Sequence, residues 1–145
     1  MDWNKVTDAP LFSKCVDNTE VEAKIVSVYD GDTVKAVFPL NGVLYKWNCR
    51  LTGIDTPEVR TSDKLQKQFG YIVRDKLRDK ILDKVVLLKC QDLDKYGRLL
   101  TQIHIGDTCI NQWLIDQGYA FAYDGGTKQS WTTYLLDKNI KELSS

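Results

Sequence analysis

Histidine is almost missing from this chain: His104 is the only one in 145 residues. The four cysteines, Cys15, Cys49, Cys90 and Cys109, are widely spaced and form no CxxC. These two shortages remove the ligand spacing of a Cys/His zinc site. The first twenty residues, MDWNKVTDAPLFSKCVDNTE, carry acids early and no apolar run, so neither a secretory signal nor a transmembrane segment is expected. The expected location is therefore intracellular (cytoplasmic), and the cysteines read as small buried or half-buried thiols rather than disulfides. Internal repeats, a collagen period, heptads and low-complexity tracts are also absent, which leaves a single globular domain as the simplest organisation at this length.

An excess of one charge is lacking too, since 20 basic and 20 acidic residues cancel. The distribution is less even than the sum. Up to Asp32 there are seven acids against three lysines, whereas from Val59 to Arg98 there are eleven bases against six acids. A local positive surface of this kind can steer a polyanion even on a neutral molecule, and it is equally the make-up of a solvated helix face.

What is present is a readable order of elements. Residues 1–20 show no periodicity and read as an N-terminal extension before a domain spanning 21–145. Val21–Val28 alternates loosely and leads into Asp30-Gly31, a hairpin signal, then Thr33–Phe38 as a second strand. Pro39–Gly42 is a turn, and Val43–Ile54 reads as one long strand. Lys64–Leu82 repeats apolar residues at helical spacing, with Leu65, Phe69, Ile72, Val73, Leu77 and Ile81 on one face. Val85–Cys90 and Leu99–Ile105 are further strands around the turn Asp94–Gly97. Ile110–Gln117 is a short helix closed by Gly118, and Trp131–Leu143 is a last helix after the loop Asp124–Lys128. Five strands with a helix between the third and fourth define an α+β chain dominated by β: a five-stranded OB-fold Greek-key barrel with about three helices.

Three short motifs fall at ends of those strands. Asp30-Gly31-Asp32 is at the first hairpin, Arg50 through Asp55-Thr56-Pro57-Glu58 closes the third strand, and Asp94-Lys95-Tyr96-Gly97-Arg98 opens the fifth. Each alone is also an ordinary polar turn. Their carboxylates and a main-chain carbonyl would form an all-oxygen set suited to a hard cation, with positions left for substrate oxygens.

In this order and spacing the motifs resemble the staphylococcal nuclease-like (thermonuclease) family, over about Val21 to Tyr123, and Asn111–Ala120 resembles it as well. The resemblance implies that Asp32 and Asp55 bind calcium through their carboxylates and Thr56 through its carbonyl. It implies Glu58 as general base toward water, and Arg50 and Arg98 as forks on the scissile phosphate. Tyr96 and Tyr123 would flank the nucleotide, and Lys64 and Lys95 would lie near the phosphate path. Arg60, the second arginine framing RLTGIDTPEVR, reads as an ordinary surface charge. The implied activity is a Ca2+-dependent nuclease cutting DNA and RNA with little sequence preference and leaving 3′-phosphates. Its expected partners are DNA and RNA, with no membrane, and the chain is expected to act as a monomer. A non-catalytic OB-fold module binding single-stranded nucleic acid or a protein stands beside this reading; such modules tend to have lost some of the six residues, and none is missing here.

Overall fold

The hairpin between the second and third strands shows how local sequence sets the barrel. Strands β1 (Thr19–Asp30), β2 (Thr33–Leu40) and β3 (Val43–Leu51) form an antiparallel meander in the computed structural model, which describes residues 1–9, 11 and 16–138. Asn41 and Gly42 take φ of 52° and 81°. Two successive left-handed residues give the turn whose twist matches its strands. β2 therefore runs through Pro39, which lies beyond Val37, the last β2 residue paired with β1, and so does not interrupt that ladder.

Alternation then decides what faces inward. β2 buries Val34, Ala36 and Phe38, β1 buries Ala23 and Ile25, and a register shift between Ile25 and Ser27 brings Val28 inward too. The long strand expected over Val43–Ile54 is broken. β3 stops at Leu51, Gly53 takes φ 78°, and Ile54–Asp55 form a separate β4 that pairs with β8 (Phe121–Ala122). Glycine tolerates the left-handed bend at which the chain leaves one sheet for the other.

β5 (Val85–Leu93) pairs antiparallel with β1 and with β6 (Leu99–Ile105), and β6 closes the ring by parallel pairing with β3 at Cys49↔Leu99 through Leu51↔Thr101. The five-stranded closed barrel with three helices is thus as expected, with short additions: β4, β8, and β7 (Thr108–Cys109) against β6. Cys49 and Cys90 are buried free thiols and Cys109 is a half-buried one; Cys15 lies outside the described residues. Burial, and secondarily the nearby Cys90, push the Cys49 thiol up to about 12.

Helix α1 (Lys64–Ile81) starts where Asp63 accepts hydrogen bonds from the Leu65 and Gln66 amides. It buries Phe69, Gly70, Val73, Leu77 and Ile81 against the barrel. α2 (Ile110–Asp116) ends at Gly118, whose φ of 79° supplies the expected helix stop. α3 spans Trp131–Asp137; the part of the expected last helix from residue 139 on lies outside the described residues. Trp131 stacks on Phe121 at 4.0 Å and leans on Phe69, which ties α3, β8 and α1 into one aromatic cluster beneath β4. No helix among the described residues is long and apolar enough to cross a membrane.

Candidate active site

Side chains from four separated stretches meet at one rim of the barrel, around a cleft of about 470 Å³. The β1–β2 hairpin supplies Asp32, the end of β3 supplies Arg50, and β4 with the turn after it supplies Asp55, Thr56 and Glu58. The start of β6 supplies Arg98. All six residues singled out in the three motifs line this cleft.

The hairpin reaches the cleft because Gly31 has no side chain. A Cβ there would sit 2.7 Å from Val73 Cγ1 and 2.8 Å from Thr56 Cβ, so the turn lies flush against α1 and the Thr56 strand end. Asp32 is then buried to 9% exposure and accepts from the Thr33 hydroxyl at 3.1 Å. Its other oxygen stands 3.3 Å from Arg50 Nη2. Arg50 also donates to the carbonyls of Leu51 and, at 2.9 Å, of Ile54. This arginine therefore braces the bend between β3 and β4 while facing the cleft.

Asp55 is 4% exposed, held by the Trp131 indole N–H at 3.2 Å and by Lys128 Nζ at 3.3 Å. Beside it the Thr56 hydroxyl is buried and finds no hydrogen-bond partner among the described residues. Glu58 is exposed; its amide donates to Gln66 Oε1 at 3.0 Å, which anchors the turn to α1. Arg98 is oriented by Asp94, which accepts from its Nε at 2.8 Å and from its main-chain N–H at 2.9 Å. That pairing is made through Nε, and Arg98 lines the cleft. Asp94 sits below the usual carboxylate range: the Arg98 main-chain and side-chain donors and the Tyr96 amide outweigh its desolvation, the largest single influence.

The second-ranked candidates are more dispersed. Tyr96 is 71% exposed on the β5–β6 turn, where both Lys95 and Arg98 lie over its ring, at 5.1 and 5.5 Å. Tyr123 lines an adjoining hollow that also includes Asp55, with Lys128 over its ring at 5.4 Å. Lys64 is exposed at the start of α1 and is not among the residues lining the cleft.

Three charged cleft residues escape the sequence reading. Asp30, two residues before Asp32, also lines it, and its carboxyl is pushed up to about 7 by burial first and then by the charge of Asp32. The paired spacing of the two aspartates was its signal. Lys128 reaches the cleft from the loop before α3, with nothing local to announce it. Arg60, read as a plain surface charge, lines this cleft and a second, neighbouring groove.

The donors are oxygens throughout: two buried carboxylates on an open cleft beside a Thr main chain. That chemistry fits a hard cation. Among the described residues no three Asp, Glu, His or Cys side chains form a complete cage, so a cation here would take its remaining positions from main chain, water or substrate.

A closed five-stranded barrel with three helices, carrying acidic and basic groups at one rim, places the chain in the OB-type class. The family model described as staphylococcal nuclease homologue matches residues 48–140, and the chain belongs to that family. The matched span begins after the Asp30–Asp32 hairpin. Among curated relatives, an uncharacterized protein, MJ1439, of Methanocaldococcus jannaschii is 32% identical over 124 residues, 69% of this chain and 58% of that protein. An uncharacterized endonuclease of Escherichia coli is 28% identical over 115 residues, 79% of this chain and 69% of its own length. A thermonuclease of Staphylococcus hyicus is 30% identical over 101 residues, 68% of this chain and 57% of its own length. The chain thus spans well under two thirds of the first and last of these proteins.

Proposed function

We propose that this chain is a calcium-dependent nuclease that hydrolyses DNA and RNA with little sequence preference, leaves 3′-phosphates, and works as a monomer. The observation that carries this reading is the meeting, in one cleft, of Asp32, Arg50, Asp55, Thr56, Glu58 and Arg98 from four separated stretches of chain.

Asp32, Asp55 and the Thr56 carbonyl would hold the cation. When bound, calcium supplies Lewis-acid polarisation of a phosphate oxygen and offsets its charge. Glu58, exposed on a turn that Pro57 stiffens, removes the proton from the attacking water. Arg98, steadied by Asp94, presents its Nη ends to the phosphate oxygens and stabilises the extra charge of the transition state. Arg50 adds a second positive charge to the cleft while it braces the β3–β4 bend. Nothing in this constellation reads a base edge or a 2′-hydroxyl, which supports tolerance of both sugars.

The test is digestion of heat-denatured DNA and of RNA by the purified chain, with calcium or with chelator. Cleavage is expected only with calcium, and Glu58→Gln and Arg98→Ala should each lower it roughly 100- to 1,000-fold. Cleavage supported by magnesium but not calcium would overturn the cofactor. Absence of cleavage with retained oligonucleotide binding would favour the non-catalytic OB-fold module.

A further inference from the structure

The eleven bases between Val59 and Arg98 are not spread evenly in three dimensions. Lys67, Arg74 and Arg78 share one face of α1 with Tyr71, at spacings of four, three and four residues, which is one stripe of a 3.6-residue helix. The buried stripe of Phe69, Val73 and Leu77 runs beside it. The basic stripe forms one wall of a groove of about 670 Å³ whose other wall is Ser27 to Tyr29 at the end of β1. Arg60 lines it too, and the groove's lining contains four bases and no acid. Tyr29 and Arg60 line both this groove and the catalytic cleft, so the two hollows adjoin.

We propose that this groove is an extended phosphate-binding subsite that holds the single-stranded nucleic-acid chain running away from the catalytic cleft. The proposal deepens the nuclease reading and rests on it. Three features separate the groove from a merely solvated helix face. Lys76, on the same helix, points elsewhere and lines neither hollow. Arg78 is held over the groove by donating to the Val28 carbonyl at 3.4 Å, beside the β1 irregularity. Arg74 lies over the Tyr71 ring at 4.6 Å, which makes a flat cationic and aromatic platform on which an unpaired base can stack.

Asp75 pairs with Arg74 at 3.0 Å and reaches Arg78 at 4.0 Å. Its side chain is 59% exposed and outside the groove lining, and exposed pairs of this kind are weak, so a phosphate can share or replace it. From Lys67 to Arg78 the helix rises about 16 Å at about 1.5 Å per residue. At about 3.4 Å per stacked nucleotide that is room for about four or five, and fewer if the strand is extended.

The experiment is fluorescence anisotropy of labelled oligothymidylates, 2 and 20 nucleotides long, with the whole chain in chelator and increasing potassium chloride. For the 20-mer, Lys67→Gln/Arg74→Gln should weaken binding about tenfold at moderate salt and reduce the log–log salt slope by about 1.4, given about 0.7 per phosphate contact on a single strand. Binding of the 2-mer should not change. A control pair carrying the same charge change outside the groove, Lys76→Gln/Lys84→Gln, should leave the slope near wild type. Should the double variant fail to fold, Lys67→Gln alone, in the groove and outside the cleft, should lower the slope by about 0.7. The groove is overturned if wild type shows no gain from 2 to 20 nucleotides, if groove and control variants behave alike, or if the slope is unchanged. Because chelator removes any need for cleavage, a chain that binds as expected yet never cuts would sink the nuclease reading and keep the groove; a chain that cuts with an unchanged slope would do the reverse.

Discussion

Gly70 lies directly against the main chain of Glu58: a Cβ on Gly70 would come within 2.8 Å of the Glu58 carbonyl oxygen and 3.0 Å of that of Pro57. Gly70 is in the middle of α1, where glycine ordinarily costs roughly 1 kcal/mol relative to alanine. Its place there is explained by the approach of the Pro57–Glu58 turn, since the atoms it would meet are backbone and cannot rotate aside.

Gly70→Ala is therefore expected to act on the site more than on the fold. The helix gains intrinsic propensity while the Pro57–Glu58 turn must shift, for a net destabilisation of about 1–3 kcal/mol of the overpacking type. A displacement of about 1 Å at Glu58, the proposed general base, should cost kcat about 100-fold. Thermal melts together with kcat and KM on denatured DNA check this. A variant that melts lower but turns over like wild type would separate Gly70 from Glu58.

Lys128 occupies the carboxylate that a cation would use, 3.3 Å from Asp55 Oδ1. Removing its charge in Lys128→Met should favour cation binding. The lysine is about half exposed, and pairs of that kind are worth about 0.2–1 kcal/mol, so half-saturation by calcium should fall at most about fivefold. The rise in Tm across a calcium titration measures this without reference to cleavage. An identical titration curve for wild type and variant would remove Lys128 from the cation's competitors.

Asp63 gives the fold an acid-sensitive joint. Its carboxylate is held below the usual range first by the Thr132 hydroxyl and then by the amides of Gln66 and Leu65, so it links the start of α1 to α3. A depressed pKa in the folded state contributes stability above the unfolded value, about 3.9, that is lost as pH falls through the folded one. Tm of wild type should thus drop more steeply below about pH 4 than that of Asp63→Asn, which keeps a capping oxygen but no titratable group. Parallel melting curves against pH would show that the contact carries no linkage.

Much of this was legible because it is local. The stripe Phe69, Val73, Leu77 announces α1, and the alternation through Val34, Ala36 and Phe38 announces β2. The order of Asp32, Arg50, Asp55, Glu58 and Arg98 along the chain carries the resemblance to the family. The break at Gly53 was not legible, since the same apolar run suits one strand or two, and the pairing of Ile54 with Ala122 decides between them. Arg60 looked like any surface arginine because nothing in its neighbours in sequence reports that two hollows open beside it.

By itself the sequence determined the main strands and helices, their order and the three motifs, because hydrophobic period, turn chemistry and capping act over a few residues. Only the tertiary structure decided which charges share a cleft. The Trp131 indole reaches Asp55 across 76 residues, Lys128 comes with it, and Gly31 and Gly70 are required by what packs against them rather than by their own backbone angles. Those distances are set where β6 closes on β3 and α1 and α3 pack beneath the rim, and packing between distant segments leaves no pattern in the residues on either side.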